Sequence, residues 1–172
     1  MGALVRGLAA GAAGAFAQDV FFRVTDPVKP SPPEHVFEPP EREQAFEGST
    51  ATVARRFVEG MMAREAMSPE AKERGAKIVH YAFGSAFGGL YGLLRESAPR
   101  LRRGRASSRT ATLFGTTVWA LGDELLLPAF RLSARPLAYP ASTHAYAWAA
   151  HLAYGLAVAG TYGALRRGRG VA

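Results

Sequence analysis

Long stretches with almost no charge alternate along this chain with stretches dense in arginine, glutamate and proline. Four of the apolar stretches are helix-length: about Gly2–Val24, Ile78–Leu94, Thr110–Phe130 and His144–Leu165. None is a plain Leu/Ile run; all are rich in Gly and Ala, and all carry ionisable groups. Crossing a bilayer as a helix takes roughly 17–25 predominantly apolar residues, so the lengths suit four transmembrane helices. A helix on the outside of a water-facing bundle would show charges at 3.6-residue spacing. Between Ile78 and Leu94 His80 alone could carry charge near neutrality. The pattern predicts an all-α, polytopic membrane protein. Two readings compete with it: buried helices of a bundle outside any membrane, and, for the first stretch, a cleaved signal peptide with Arg6 as its basic region and Ala15-Phe16-Ala17 as the cleavage site.

The second and fourth stretches repeat each other. HYAFGSAFGGLYGLLR, from His80 to Arg95, overlies HLAYGLAVAGTYGALR, from His151 to Arg166, without a gap and with nine of sixteen positions identical. The first and third stretches match more weakly: Gly11 overlies Gly115, and Asp19 overlies Asp123, eight residues later in both. This predicts one membrane domain over residues 1–172, built of two tandem helical-hairpin repeats, 2–95 and 110–167. Hairpins with even numbers of crossings face the same way, which implies a pseudo-two-fold axis along the membrane normal. Gly84, Gly88 and Gly92 recur every four residues, as do Gly155, Ala159 and Gly163. Such small-residue ridges, a glycine zipper, let backbones approach closely. The second and fourth helices are expected to meet through them; homodimerisation is the alternative.

The first repeat carries an insert, residues 26–76. Asp26 to about Gly48 is proline-rich and favours extended chain; its His35 reads as a solvated loop residue. From Ser49 to Met67, Val53, Phe57 and Met61 recur at helical spacing among Arg55, Arg56, Glu59, Arg64 and Glu65. That is an amphipathic helix, with Ser49 or Thr50 as cap and its methionines filling apolar gaps. Ser68-Pro69-Glu70 then starts a further turn or short helix leading to Lys77.

Composition sharpens the picture. The chain has 172 residues and no cysteine, which excludes a disulfide scaffold, a thiol nucleophile and a zinc–thiolate site. Lys and Arg exceed Asp and Glu by 21 to 14. Arg95, Arg100, Arg102, Arg103, Arg105 and Arg109 cluster between the second and third stretches, Arg166, Arg167 and Arg169 follow the fourth, and Arg6 lies in the first. By the positive-inside rule these regions face the cytoplasm, with four spans and both termini on that side. The basic balance then answers lipid headgroups; no aromatic-interleaved basic surface points to nucleic acid.

The ionisable groups in the apolar stretches are the candidate chemistry. Asp19 and Asp123 come late in helices running outward; His80 and His151 come early in helices running inward. At about 1.5 Å rise per residue all four fall at similar depth, with Glu124 beside Asp123 and His144 two turns before His151. Intramembrane ionisable groups face a bundle interior, a partner or water. Three readings follow for Asp19, His80, Asp123, Glu124, His144 and His151: structural hydrogen bonds between helices, a polar site for protons or a small ligand, or a divalent metal site. The first is the leading expectation, and no metal or other cofactor is assigned. Ser142, His144 and Asp123 form a triad only on paper, without a nucleophile-elbow sequence. No phosphate-loop, dinucleotide or H-E-x-x-H motif occurs, so an enzyme is not expected.

The string VHYAFGSAFGGLYGLLRE, then LFGTTVWALGDELLLPAFRLS and the HLAYGL region, resembles the YagU-like family of small bacterial inner-membrane proteins, a domain of unknown function, over roughly Ala51 to Arg167. The resemblance implies a polytopic inner-membrane protein and carries over no catalytic residues. The expected role is structural or accessory, or that of a subunit in a membrane assembly, with the lipid bilayer, other membrane subunits or itself as partners. The alternatives are a proton- or ion-responsive membrane protein and, less so, a membrane-embedded enzyme.

Overall fold

A computed structural model describes residues 2–30, 49–62, 68–97 and 108–168. Every regular element among them is helical. Helix α1 spans Ala3–Thr25 and ends in a 3-10 turn, Asp26–Val28. Helix α2 is Ser49–Met62, and α3 is Pro69–Ser97. Helix α4, Ser108–Trp119, runs into a π-helical segment, Ala120–Leu126, and a last turn, Leu127–Ala129. A 3-10 turn, Pro136–Ala138, precedes α5, Ala141–Arg167. Most of the proline-rich insert, with His35, and the stretch from Ala63 to Met67 lie outside the described residues.

Local chemistry accounts for several of these boundaries. Proline suits the first position of a helix, where its missing N–H would have no partner. Pro69 takes that position in α3, and Ser68 Oγ accepts the Ala71 N–H at 3.2 Å. Instead of a short turn before Lys77, this start propagates unbroken for 29 residues. In α4 the α register fails near Pro128, which offers no N–H to the carbonyl four residues back, on Glu124; the wider π turn lies just before it. The helix closes with Arg131 at φ 54°, its N–H on Pro128 O and the Leu132 N–H on Leu127 O. That is a Schellman ending with arginine where glycine is usual.

The chain forms two compact units. The first comprises residues 1–29, 81–119 and 146–172, and the second residues 30–80 and 120–145. In the first unit the interior is small and aromatic: Ala10, Ala111, Tyr91, Tyr154, Val158, Ala159 and Tyr162 form its core, with Phe87 and Phe114 against it. Large aliphatic and aromatic side chains such as Leu4, Phe16, Phe83 and Leu113 are exposed.

Glycine sets the helix spacing of this unit. A Cβ on Gly7 or Gly11 would strike the backbone at Gly88–Gly89 or Gly84–Ser85, and one on Gly88 would strike Gly11. Helices α1 and α3 thus touch backbone to backbone. Helices α4 and α5 do the same: a Cβ on Gly115 would meet the His151 carbonyl, and one on Gly155 would meet Ala111 O and Gly115. The expected ridge-to-ridge seam between the second and fourth stretches is therefore replaced. Gly84, Gly88 and Gly92 face α1, with the Tyr154 and Tyr162 rings of α5 also against Gly84 and Gly92, and Gly163 faces open space. What joins α3 to α5 is a pair of phenols two turns apart: Tyr154 Oη donates to Gly84 O at 2.6 Å, and Tyr162 Oη lies 3.2 Å from Gly92 O.

No helix among the described residues is long and apolar enough to cross a membrane. This overturns the polytopic fold with four transmembrane helices arranged as two tandem hairpins. It removes the basis for a multi-pass inner-membrane location with both termini cytoplasmic, and for the lipid bilayer and other membrane subunits as partners. The physical reason is hydropathy rather than length. Helices α1, α3 and α5 have 23, 29 and 27 residues, but Gly, Ala, Tyr and His add little apolar transfer energy, and α1 also carries Arg6, Gln18, Asp19 and Arg23. The third expected span, Thr110–Phe130, falls on α4, a 12-residue α-helix that starts at Ser108, and on the π segment after it.

Candidate functional site

The residues singled out from sequence are distributed over both units. In the first, Asp19 Oδ2 accepts the Tyr81 hydroxyl at 3.0 Å. Next to Asp19, Gln18 is buried, with Nε2 3.4 Å from His151 Nδ1. His151 Nδ1 also lies 2.9 Å from Ala147 O, one turn back on α5. In the second unit, the π segment presents Glu124 to His144, Oε1 to Nδ1 at 2.6 Å. The other ring nitrogen, Nε2, is 3.0 Å from Pro136 O. Partial burial pulls the His144 pKa down, but the hydrogen bond and charge of Glu124, with the carbonyls of Pro136 and Tyr139, outweigh it and hold it above the usual histidine value. His80 and Asp123 also belong to the second unit, half-buried and each engaged. Among the described residues no group of three or more His, Asp or Glu could hold a metal ion.

A different cluster, within the first unit, has the more unusual environment. The start of α1 and the C-terminal ends of α3 and α5 bring together Arg6, Arg95, Glu96 and Arg166 with Tyr91 and Tyr162. Arg6 is 7% exposed and Arg95 5%; arginine is almost never this buried without an anionic partner. Glu96 Oε1 meets Arg6 Nη2 at 3.5 Å and accepts the Tyr162 hydroxyl at 3.0 Å. The Arg6 guanidinium lies over the Tyr162 ring, 5.6 Å from its centroid, a cation–π contact. Tyr91 packs edge-on to Tyr162 at 5.6 Å.

The hydrogen-bond account of this cluster does not close. Arg6 Nε, the Tyr91 hydroxyl and Arg166 Nη1 are buried atoms with no hydrogen-bond partner among the described residues. Arg95 and Arg166 complement the negative C-terminal ends of α3 and α5, but Arg6 sits near the positive N-terminal end of α1, where an anion would be favoured. Burial raises the Tyr91 phenol pKa, and Arg95 and Arg166 pull it back. Burial and Glu96 likewise raise that of Tyr162 against Arg6 and Arg166. Both phenols thus remain neutral donors near neutrality. A surface groove of about 400 Å³ along α4, lined by Ser108, Arg109, Thr112, Leu113 and Thr116, has no comparable buried donors.

Sequence reasoning assigned Arg6, Arg95 and Arg166 to membrane topology and missed this site. The signal was nevertheless printed twice. The repeated strings LYGLLR and TYGALR each place an arginine four residues after a tyrosine, Tyr91/Arg95 and Tyr162/Arg166, and that spacing puts both on one helix face.

No known protein-family model matches the chain, and neither a curated protein nor a solved structure matches it. The resemblance to the YagU-like inner-membrane family is therefore not upheld: it rested on Gly- and Ala-rich helix strings that close helix packing itself demands.

Proposed function

We propose that this chain is a non-catalytic helical binding module that holds an anionic group at the Arg6–Arg95–Arg166 cluster. The observation that carries this reading is Arg6, nine-tenths buried at the positive end of α1, with no hydrogen-bond partner for Nε among the described residues. Guanidinium groups suit oxyanions because their fixed fork of donors matches carboxylate and phosphate oxygens. The paper triad of Ser142, His144 and Asp123 gains no support, since both His144 ring nitrogens already face acceptors. A binding role needs only the donors that the site supplies.

The test is thermal melting of the full chain in chloride, acetate, sulfate and phosphate at one ionic strength. An anion bound to the folded state raises Tm by mass action, by roughly 2.7 kcal/mol of stability at a hundredfold excess over Kd. The expected result is a rise specific to an oxyanion that Arg6→Gln abolishes while circular dichroism shows the helices retained. Equal melting of the wild-type chain in all four salts sinks the reading.

A further inference from the structure

We infer that the ligand of this site is a phosphate group, free or esterified, and that Glu96 is a built-in competitor that occupies part of its place. The inference rests on the anion-binding reading above. Two of the site's donors, Arg6 Nη2 and the Tyr162 hydroxyl, converge on a single oxygen, Glu96 Oε1. Three more, Arg6 Nε, the Tyr91 hydroxyl and Arg166 Nη1, have no partner among the described residues. A single carboxylate oxygen cannot reach all five. A tetrahedral dianion presents several oxygens in different directions and so can serve donors arriving from three helices.

Charge points the same way. Among the described residues Glu96 sets one negative charge against Arg6 and Arg166, which both act on Tyr162, so a further anion is attracted more strongly the more charge it brings. Glu96 is also the member placed to move. Its side chain is 26% exposed against 9% for Arg6, and it lies in the last turn of α3, one residue before the helix ends. Rotating it outward releases Arg6 and Tyr162 to the ligand without disturbing the glycine contact of α3 with α1. An empty site is thereby partly neutralised by its own chain, and a filled one is not.

The experiment is calorimetric titration of the full chain with inorganic phosphate, with butyl phosphate and with acetate, for wild type, Glu96→Gln and Glu96→Asp. Removing the competing charge is expected to tighten phosphate binding about tenfold or more in Glu96→Gln. In Glu96→Asp, whose carboxylate is drawn back from Arg6, binding tightens by a smaller factor. Acetate binds at least tenfold more weakly than phosphate. Equal binding of inorganic and butyl phosphate supports a free ion, and tighter binding of butyl phosphate supports an esterified group on an apolar carrier. If wild type binds phosphate but both variants bind it no tighter, the competitor role of Glu96 is overturned and anion binding stands. Acetate binding as tightly as phosphate overturns the phosphate assignment. Absence of binding in every variant overturns both readings. Should Glu96→Gln not fold without ligand, Glu96→Asp decides the question alone.

Discussion

His144 has an acceptor on each ring nitrogen, and a neutral imidazole can donate from one nitrogen alone. Both contacts are therefore satisfied together only by the doubly protonated ring, and that form ties the π segment at Glu124 to the turn at Pro136 within the second unit. Arg131 and Arg135 belong to the same turn region, and each is engaged in an interaction. Because the folded pKa of His144 is raised, the clasp stabilises fully below the unfolded value of about 6.5 and is lost as pH rises through the folded one. We expect a nuclear magnetic resonance titration of His144 to show a midpoint above that of free histidine. We also expect His144→Gln to cost about 1 kcal/mol at acid pH and to flatten the pH dependence of stability through that window. A midpoint at or below the free value would refute the clasp. Both residues were visible in the sequence as ionisable groups in an apolar setting. Their pairing was not, because a regular α-helix gives Glu124 a different direction from the one the π turn provides.

At the level of elements, the prediction concerns which glycines are irreplaceable. Gly88 and Gly115 face backbone of the neighbouring helix well inside van der Waals contact, whereas Gly160 and Gly163 have nothing within 4 Å. Backbone cannot move aside as a side chain can, so Gly88→Ala and Gly115→Ala should each cost about 3 kcal/mol or more. Gly160→Ala and Gly163→Ala should stabilise by about 0.5–1 kcal/mol through helix propensity. Chemical denaturation of the four variants tests the contrast, and equal costs would mean that the helix spacing is wrong. The four-residue glycine spacing made tight contact legible from sequence. Which helix lay opposite was not legible: Gly84, Gly88 and Gly92 look the same whether they face α1 or α5. The continuous α3 was likewise hidden, because Pro69 reads equally as a turn and as a helix start.

The first unit is assembled from three segments far apart in sequence, and its three buried tyrosines tie them together. The extents of α1 and α5 are readable from the apolar stretches to within a few residues, whereas α3 begins nine residues before its stretch. A Gly- and Ala-rich stretch of helical length suggests a lipid span from sequence alone, but small residues such as Gly11 and Gly115 allow close helix contact. Likewise Arg6 and Arg166 suggest membrane sidedness from sequence, whereas Arg6 is buried against Glu96 and Tyr162 and Arg166 is half-buried. Tyr91, Tyr154 and Tyr162 bridge those segments as neutral phenols, and burial pushes the pKa of each above the ordinary tyrosine value. Their contribution to stability is present below about pH 10 and is lost as pH rises through the higher folded values. Alkaline titration should therefore show the buried tyrosines ionising together with the loss of helical circular dichroism. Tyr154→Phe should cost about 1 kcal/mol at neutral pH through the lost bond to Gly84 O and move the alkaline midpoint upward, because one linked proton is gone. Complete tyrosinate absorbance with the helices still intact would mean that these phenols are not what closes the unit.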